Sequence, residues 1–220
     1  MPFEEVILTI KKTLAQTENI VGFVSPSHFI PHVKAIITKL REDGLNPIFV
    51  YNTNGYDKVE TLKSLEGLID VYLPDFKYAN PELSFQYSQA RNYPEIAKAA
   101  LKEMFRQKGA TLSLNEDGIA DWGIIVRHLV LPNALENSIE VLNYIAREIS
   151  PKLHISLMAQ YYPTDKAKTI PSLTRTITQE EYNSVVDAFH KFGFYNGWIQ
   201  ELESQEHYRP SFRDEHPFED

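Results

Sequence analysis

The sequence predicts an α/β protein whose parallel sheet is arranged as an open, partial (β/α) barrel. Five short apolar runs alternate with segments in which apolar residues recur at helical spacing, and each apolar run ends in a polar loop. The fourth run, residues 123–131, is almost continuously apolar, which is typical of a parallel strand buried on both faces. A doubly wound open sheet is the alternative that this alternation allows.

The first half of the chain predicts an opening helix, then two units of strand and helix, and then a third strand. The opening helix follows from the spacing of Ile7, Ile10 and Leu14. Pro31 and Gly44 bound the next helix, since proline suits the first turn and glycine the end. The predicted elements are a helix at 3–17, a strand at 20–24, a helix at 31–44, a strand at 47–51, a helix at 58–65 and a strand at 68–73.

The second half predicts two further strands and ends in a segment of different character. Residues 81–108 indicate one short and one long helix, and Asp117-Gly118 favours a small hairpin before the next strand. Thr178 and Glu181 form a capping-box pattern at the start of the last helix. The predicted elements are strands at 123–131 and 154–158 and helices at 139–149 and 178–191. We expect residues 1–195 to form the partial barrel and residues 196–220 to be a tail that wraps over it.

Composition narrows the classes of function. The chain has 220 residues, with 22 basic against 30 acidic side chains and a net charge of −8, so neither nucleic acid nor an anionic membrane is predicted as a partner. No apolar stretch approaches about 18 residues and the start lacks a signal-peptide pattern, which makes the cytoplasm the default location. Cysteine is absent, which removes disulfides, thiolate catalysis and cysteine-bound metals from this chain.

Polar residues follow all five predicted strands. The carboxyl ends of parallel strands meet at one edge of the sheet, where the loops are free to carry function. Neither a glycine-rich phosphate loop nor a GxSxG elbow is present, and no protein-only metal site is predicted. The candidate residues at this edge are Ser25 and His28 after the first strand, Asn52, Thr53 and Asn54 after the second, Asp75 and Lys77 after the third, Arg127 in the fourth, and Gln160 after the fifth.

These residues also have plain structural interpretations. Residues 52–55 have an ordinary turn composition, and Asp75 with Lys77 fits a solvated ion pair. Arg127 is harder to explain in this way, because a guanidinium inside an apolar strand needs a partner or a ligand. An acid and base pair drawn from His28, His128 and Asp75, as in a generic barrel hydrolase or lyase, is a further hypothesis.

Several stretches together resemble a branch of the radical S-adenosylmethionine (SAM) superfamily that is related to pyruvate formate-lyase activating enzymes. The resemblance spans essentially the whole chain and is specific in spacing and order. The stretches are GFVSPSHFIP at 22–31, VYNTNGYD at 50–57, LPDFKY at 73–78, IVRHLVLPN at 125–133, GWIQEL at 197–202 and YRP at 208–210.

The resemblance implies a barrel in which a [4Fe–4S] cluster and SAM lie at the carboxyl ends of the strands. Reductive cleavage of SAM there yields a 5′-deoxyadenosyl radical, which in activating enzymes abstracts hydrogen from a backbone glycine of a partner protein. By resemblance, the candidate residues listed above become SAM-binding residues. Asn52, Thr53 and the Asp75/Lys77 pair are implied near its aminoacyl end, and Arg127 resembles a strand arginine near SAM. A carboxylate and cations suit that group, which carries an amine and a carboxylate.

The family's first strand and its CxxxCxxC cluster loop have no counterpart in this sequence. We therefore expect catalysis only in a longer parent chain that carries those cysteines, with this chain inactive as given. A cluster-free pseudoenzyme, or a scaffold or binding subunit acting with a partner protein, is the alternative. Without the first strand, the edge at 20–24 would be exposed, which favours a homodimer through that edge.

Overall fold

A computed structural model describes residues 2–202, in which seven α-helices and seven strands form one α/β unit. The helices and strands, in chain order, are α1 (Phe3–Leu14), β1 (Ile20–Val24), α2 (Ile30–Glu42), β2 (Ile48–Thr53), α3 (Val59–Lys63), β3 (Val71–Pro74), α4 (Pro81–Ser88), α5 (Tyr93–Lys108), β4 (Ser113–Leu114), β5 (Ala120–Leu129), α6 (Leu135–Tyr144), β6 (His154–Met158), α7 (Gln179–Lys191) and β7 (Gly197–Ile199). A π-helical turn, Ile145–Ile149, extends α6.

The strands form one open sheet in the order β1-β2-β3-β5-β6-β7, and all of these pairs are parallel. The short β4 pairs antiparallel with β5, as the predicted hairpin requires. The sheet does not close on itself, because β1 and β7 stand at its two edges. The prediction of a partial parallel (β/α) barrel is therefore confirmed.

The two faces of the sheet differ in burial. In β5, Ile124, Val126 and His128 are buried in the core that the helices form with the sheet. The alternate residues, Ile125 and Arg127, are only partly buried. Successive strand residues point to opposite faces, so Arg127 belongs to the less covered face.

The third strand is shorter than predicted. It begins at Val71, because the amide of Leu68 closes a turn onto the carbonyl of Leu65. The next residues bind the neighbouring strand differently: the Asp70 carboxylate accepts a 2.7 Å hydrogen bond from the Phe49 amide. The Asp70 side chain thus takes the place of a backbone carbonyl as partner of the Phe49 amide, at a position where the apolar pattern at 68–73 predicts a strand.

Residues 197–199, which the sequence assigns to the tail at 196–220, form β7 and add a sixth parallel strand beside β6. Gly197 has a φ of +115°, and a Cβ atom there would lie 2.1 Å from the Ile155 carbonyl oxygen. Only glycine permits this close approach of the two backbones. The remainder of the predicted tail, from residue 203 onward, lies outside the described residues.

Within residues 2–202, no helix combines the length and the apolar character that crossing a bilayer requires.

Candidate functional site

A cavity of about 370 Å³ lies at the carboxyl ends of β3, β5 and β6. Its volume falls within the range of small-molecule sites in proteins. One part of its lining is charged or polar, and the rest is aliphatic or aromatic. The lining residues are Asp75, Lys77, Tyr78, Tyr87, Arg127, Leu129, Leu131, Met158, Gln160, Tyr161, Ala167 and Leu173. Four of the nine predicted site residues thus meet in one place: Asp75, Lys77, Arg127 and Gln160.

Asp75 lies between two cations at the polar end of the cavity. Its Oδ1 accepts a hydrogen bond from Arg127 Nε at 2.9 Å and lies 2.6 Å from Arg127 Nη2 in an ion pair, and its Oδ2 lies 3.3 Å from Lys77 Nζ. The Asp75 side chain is 15% exposed, whereas those of Arg127 and Lys77 are 30% and 41% exposed. Both cations therefore keep donors that a ligand could use, and the three side chains together carry one net positive charge.

The apolar wall of the cavity is closed by the segment between β6 and α7. The Tyr87 and Ser172 hydroxyl groups share a 2.7 Å hydrogen bond, and the Tyr161 hydroxyl donates to the Leu173 carbonyl at 2.9 Å. These bonds hold residues 171–173 against α4 and the end of β6. The two tyrosines thereby satisfy their polar ends outside the cavity and offer ring surface to it.

Gln160 connects the cavity to the end of β7. Its Oε1 accepts a 3.0 Å hydrogen bond from Gln200 Nε2, and Gln200 Oε1 accepts one of 2.9 Å from the Ala159 amide. Gln200 was not a predicted site residue. Since its side chain fixes Gln160, the cavity depends on residues that follow β7.

The other five predicted site residues do not line this cavity. Ser25 and His28 are exposed beyond β1, and Ser25 has a left-handed φ of 51°. Asn52 pairs with Val24 and Leu73 in the sheet. Asn54 accepts a 2.9 Å hydrogen bond from the Tyr56 amide, which is a local turn. Their roles toward a ligand stay predictions.

Thr53 belongs instead to a buried network around Asp57, which is 2% exposed. Asp57 Oδ2 accepts from the Thr53 hydroxyl at 2.5 Å, and Oδ1 accepts from Ser27 at 2.6 Å and Tyr51 at 2.8 Å. Burial raises the pKa of the Tyr51 hydroxyl, which keeps it a donor. The network therefore joins the turn after β1, through Ser27, to strand β2 and to the loop after β2 that carries Asp57.

His128 does not supply acid or base chemistry to the cavity. It is fully buried on the helix side, where burial lowers the pKa of its imidazole. Nδ1 lies 2.7 Å from the Phe76 carbonyl oxygen and Nε2 2.9 Å from the Ser138 hydroxyl. A carbonyl only accepts, so Nδ1 carries the proton and Nε2 accepts from Ser138. The geometry gives the histidine-based hydrolase hypothesis no support.

The residues of this chain do not fit a [4Fe–4S] cluster. The full sequence contains no cysteine, so it offers no thiolate ligand. In the part of the chain that the structure describes, no group of three histidine or acidic side chains is arranged to hold a metal ion. The cavity combines charged side chains of both signs with an apolar wall, surfaces that complement a ligand with an amino acid group and a less polar part.

Comparisons with known proteins extend these observations. No protein-family model matches the chain. An uncharacterized protein of Methanocaldococcus jannaschii is 32% identical over 187 residues, which cover 84% of this chain and 49% of that protein. The chain thus spans about half the length of this curated relative.

The fold also has a counterpart among solved structures. A domain of a pyruvate-formate lyase-activating enzyme from Bacteroides vulgatus matches with a TM-score of 0.56 and 14% sequence identity, over 82% of this chain and 98% of that domain. At this identity the likeness establishes a shared fold. The predicted similarity to a radical SAM activating enzyme is therefore supported at the level of the fold.

Proposed function

We propose that the cavity between Asp75, Lys77, Arg127 and Gln160 binds SAM, and that the chain contributes this binding site to a radical SAM activating enzyme. The observation that carries the proposal is the position of Asp75 between two cations at the carboxyl ends of β3 and β5. A carboxylate beside a guanidinium and an ammonium complements an amino acid group, which carries both charges.

The cavity also offers distinct surfaces for the two ends of SAM. Arg127 Nη and Lys77 Nζ would donate to its carboxylate, and Asp75 would accept from its amine. The tyrosine and leucine side chains at the other end would contact the less polar parts of the ligand. SAM bound beside a reduced [4Fe–4S] cluster supplies hydrogen-abstraction chemistry.

The cluster would have to come from outside this chain, because its residues offer no ligands for it. We assign the cysteines to a longer parent chain, and we expect the 220 residues alone to bind SAM without cleaving it. The matched relative is about twice as long as its aligned part, which is compatible with a further cofactor-binding segment. A protein substrate, as in the activating enzymes, belongs to the same proposal.

Isothermal titration of SAM into the purified chain tests the binding site. We expect saturable binding with one site per chain, and a loss of about tenfold or more in affinity for Lys77→Gln and Arg127→Gln, because each removes a charged donor. Lys39→Gln is the matched control, since Lys39 forms an exposed ion pair with Asp43 away from the cavity. Equal affinity of all three variants, or no binding by the wild-type chain, would contradict the proposal.

A cluster-free binding or scaffold subunit is the second candidate, and the absence of cysteine from all 220 residues favours it. Two exposed aromatic residues, Tyr195 just before the last strand and Trp198 within it, offer surface for a partner protein. A chain that binds no SAM but purifies from its source in a stoichiometric complex would support this function over the first.

A further inference from the structure

The tripeptide Asp75-Phe76-Lys77 supplies two of the three charges of the cavity, and all six of its backbone polar groups are hydrogen bonded. Two amides use neighbouring strands: Asp75 N–H donates to the Thr53 carbonyl at 2.8 Å, and Phe76 N–H donates to the Arg127 carbonyl at 2.9 Å. The other four groups are held by side chains. Such a segment is not fixed by sheet pairing alone.

Three buried side chains from three different elements hold those four groups. Tyr93 of α5 binds the Asp75 carbonyl at 3.0 Å and the Lys77 amide at 3.0 Å. His128 of β5 donates to the Phe76 carbonyl, and Asn137 of α6 donates to the Lys77 carbonyl at 3.0 Å. We name Tyr93, His128 and Asn137 the buried clamp.

The Tyr93 hydroxyl has a central place in this clamp. It accepts from the Lys77 amide and shares its proton between the carbonyls of Asn54, at 2.9 Å, and Asp75. It thus joins the loop after β2 to the loop after β3. The side chain is 4% exposed and burial raises its pKa, so the hydroxyl stays protonated and remains a donor.

The ring of Tyr93 is held independently of its hydroxyl. The Tyr56 ring stacks on it with an interplanar angle of 5°, and the Tyr78 ring meets it edge-on at 5.4 Å between centroids. Removing the oxygen alone therefore leaves the ring in place. The same change removes the shared hydrogen-bond partner of three backbone groups in the two loops: the Lys77 amide, the Asn54 carbonyl and the Asp75 carbonyl.

We propose that the buried clamp consists of positioning residues, which set the affinity of the cavity by fixing the backbone that carries Asp75 and Lys77. None of the three lines the cavity, so they act through the tripeptide and not through the ligand. The inference rests on the proposed function for the identity of the ligand, SAM. How firmly the clamp fixes the tripeptide backbone can be measured without any ligand.

Amide hydrogen exchange followed by NMR, together with SAM titration, tests the clamp in the full chain. Tyr93→Phe is expected to speed exchange at the Lys77 amide about five- to tenfold and to weaken SAM binding by a similar factor, the effect of one lost buried hydrogen bond. Tyr72→Phe is the matched control, because the buried Tyr72 hydroxyl binds Gln107 away from these loops. It should leave both quantities unchanged.

Asn137→Ala provides a second test if Tyr93→Phe does not fold. Asn137 Oδ1 accepts a hydrogen bond from the Ala79 amide at 2.9 Å. In Asn137→Ala the hydrogen exchange of the Ala79 amide should therefore accelerate, and SAM binding should weaken. If either folded variant matches Tyr72→Phe in exchange and affinity, the clamp is overturned. If the wild-type chain binds no SAM, the proposed function fails, and exchange alone then decides: acceleration at Lys77 supports the positioning role, and unchanged exchange overturns it.

Discussion

Asp75 and Arg127 are joined twice across the ends of neighbouring strands. Their backbones form an isolated parallel bridge beyond the paired part of β3 and β5, and their side chains form an ion pair with distances of 2.9 and 2.6 Å. The double link places a guanidinium on the less covered face of the sheet with its carboxylate partner already in position. A ligand that enters the cavity therefore meets a preformed charge arrangement.

Replacing Arg127 by leucine tests what this pair contributes to stability. Asp75 would keep only Lys77, a longer and more exposed contact, so we expect the free energy of unfolding to fall by about 1 to 2 kcal/mol. Urea denaturation measures it. Arg175→Leu is a comparison, since Arg175 also pairs with a carboxylate, Glu181, on α7. An unchanged stability for Arg127→Leu would contradict a structural contribution of the pair.

Gly55 is predicted to be irreplaceable where the two loops meet. Its φ is +79°, and a Cβ atom there would lie 2.2 Å from the Asp75 carbonyl oxygen, a backbone atom that cannot easily move. We expect Gly55→Ala to cost about 2 to 4 kcal/mol of unfolding free energy.

Gly44→Ala is the matched control for that substitution. Gly44 has nearly the same φ, +80°, but nothing lies within 4 Å of a Cβ atom there. Its cost should be only the backbone strain, about 1 kcal/mol. Equal costs for the two variants in urea denaturation would show that the contact with Asp75 is unimportant.

Asp57→Asn is predicted to destabilise the chain more than an exposed aspartate substitution. Three hydroxyl groups donate to the buried carboxylate, and an amide nitrogen cannot accept from any of them. We expect a loss of about 2 to 4 kcal/mol, against less than about 0.5 for Asp165→Asn, whose side chain is 95% exposed. Thermal and urea unfolding of the two variants give the comparison, and similar losses would refute the role of the network.

Stability should fall in mild acid because of His128. Burial lowers its pKa in the folded state below the ordinary 6.5, although the hydrogen bond to the Phe76 carbonyl and the charge of Asp75 partly oppose the shift. Below pH 6.5 the unfolded chain therefore binds a proton that the folded chain does not. The contribution is complete above pH 6.5 and is lost as pH falls toward the folded pKa, with a slope of up to about 1.4 kcal/mol per pH unit.

His128→Gln should remove most of this slope when the free energy of unfolding is measured between about pH 5 and pH 7.5, since glutamine does not titrate there. His154→Gln is the informative comparison. Burial also lowers the pKa of His154, but that residue is only partly buried. If the pH slope survives in His128→Gln and vanishes in His154→Gln, the slope comes from His154, and the prediction for His128 is contradicted.

Much of the architecture could be predicted from the sequence because it depends on local patterns. The apolar run at 123–131 predicts β5, and the Thr178 and Glu181 pair marks the start of α7, where both capping bonds form. The last strand escaped prediction because β7 has only three residues, all exposed, and owes its place to backbone contact at Gly197.

The candidate site was predictable only in part. Asp75, Lys77 and Gln160 could be chosen because each is a polar or charged residue that follows a strand, and Arg127 because it is a charged residue inside an otherwise apolar strand. Neither Tyr93 nor Asp57 stands at a position in the sequence that marks it as part of the site. Tyr93 acts on backbone groups 16 to 39 residues away in the chain, and Asp57 is recognised only when Ser27 folds onto it. Long-range hydrogen bonds of this kind leave no periodicity in the sequence.

A crystal structure grown with SAM tests most directly whether the cavity bounded by Asp75, Lys77 and Arg127 binds SAM. We expect electron density for one ligand per chain in this cavity, with its carboxylate within hydrogen-bond distance of Arg127 or Lys77 and its amine beside Asp75. An empty cavity at saturating SAM, or SAM bound elsewhere on the chain, would contradict SAM binding at this site.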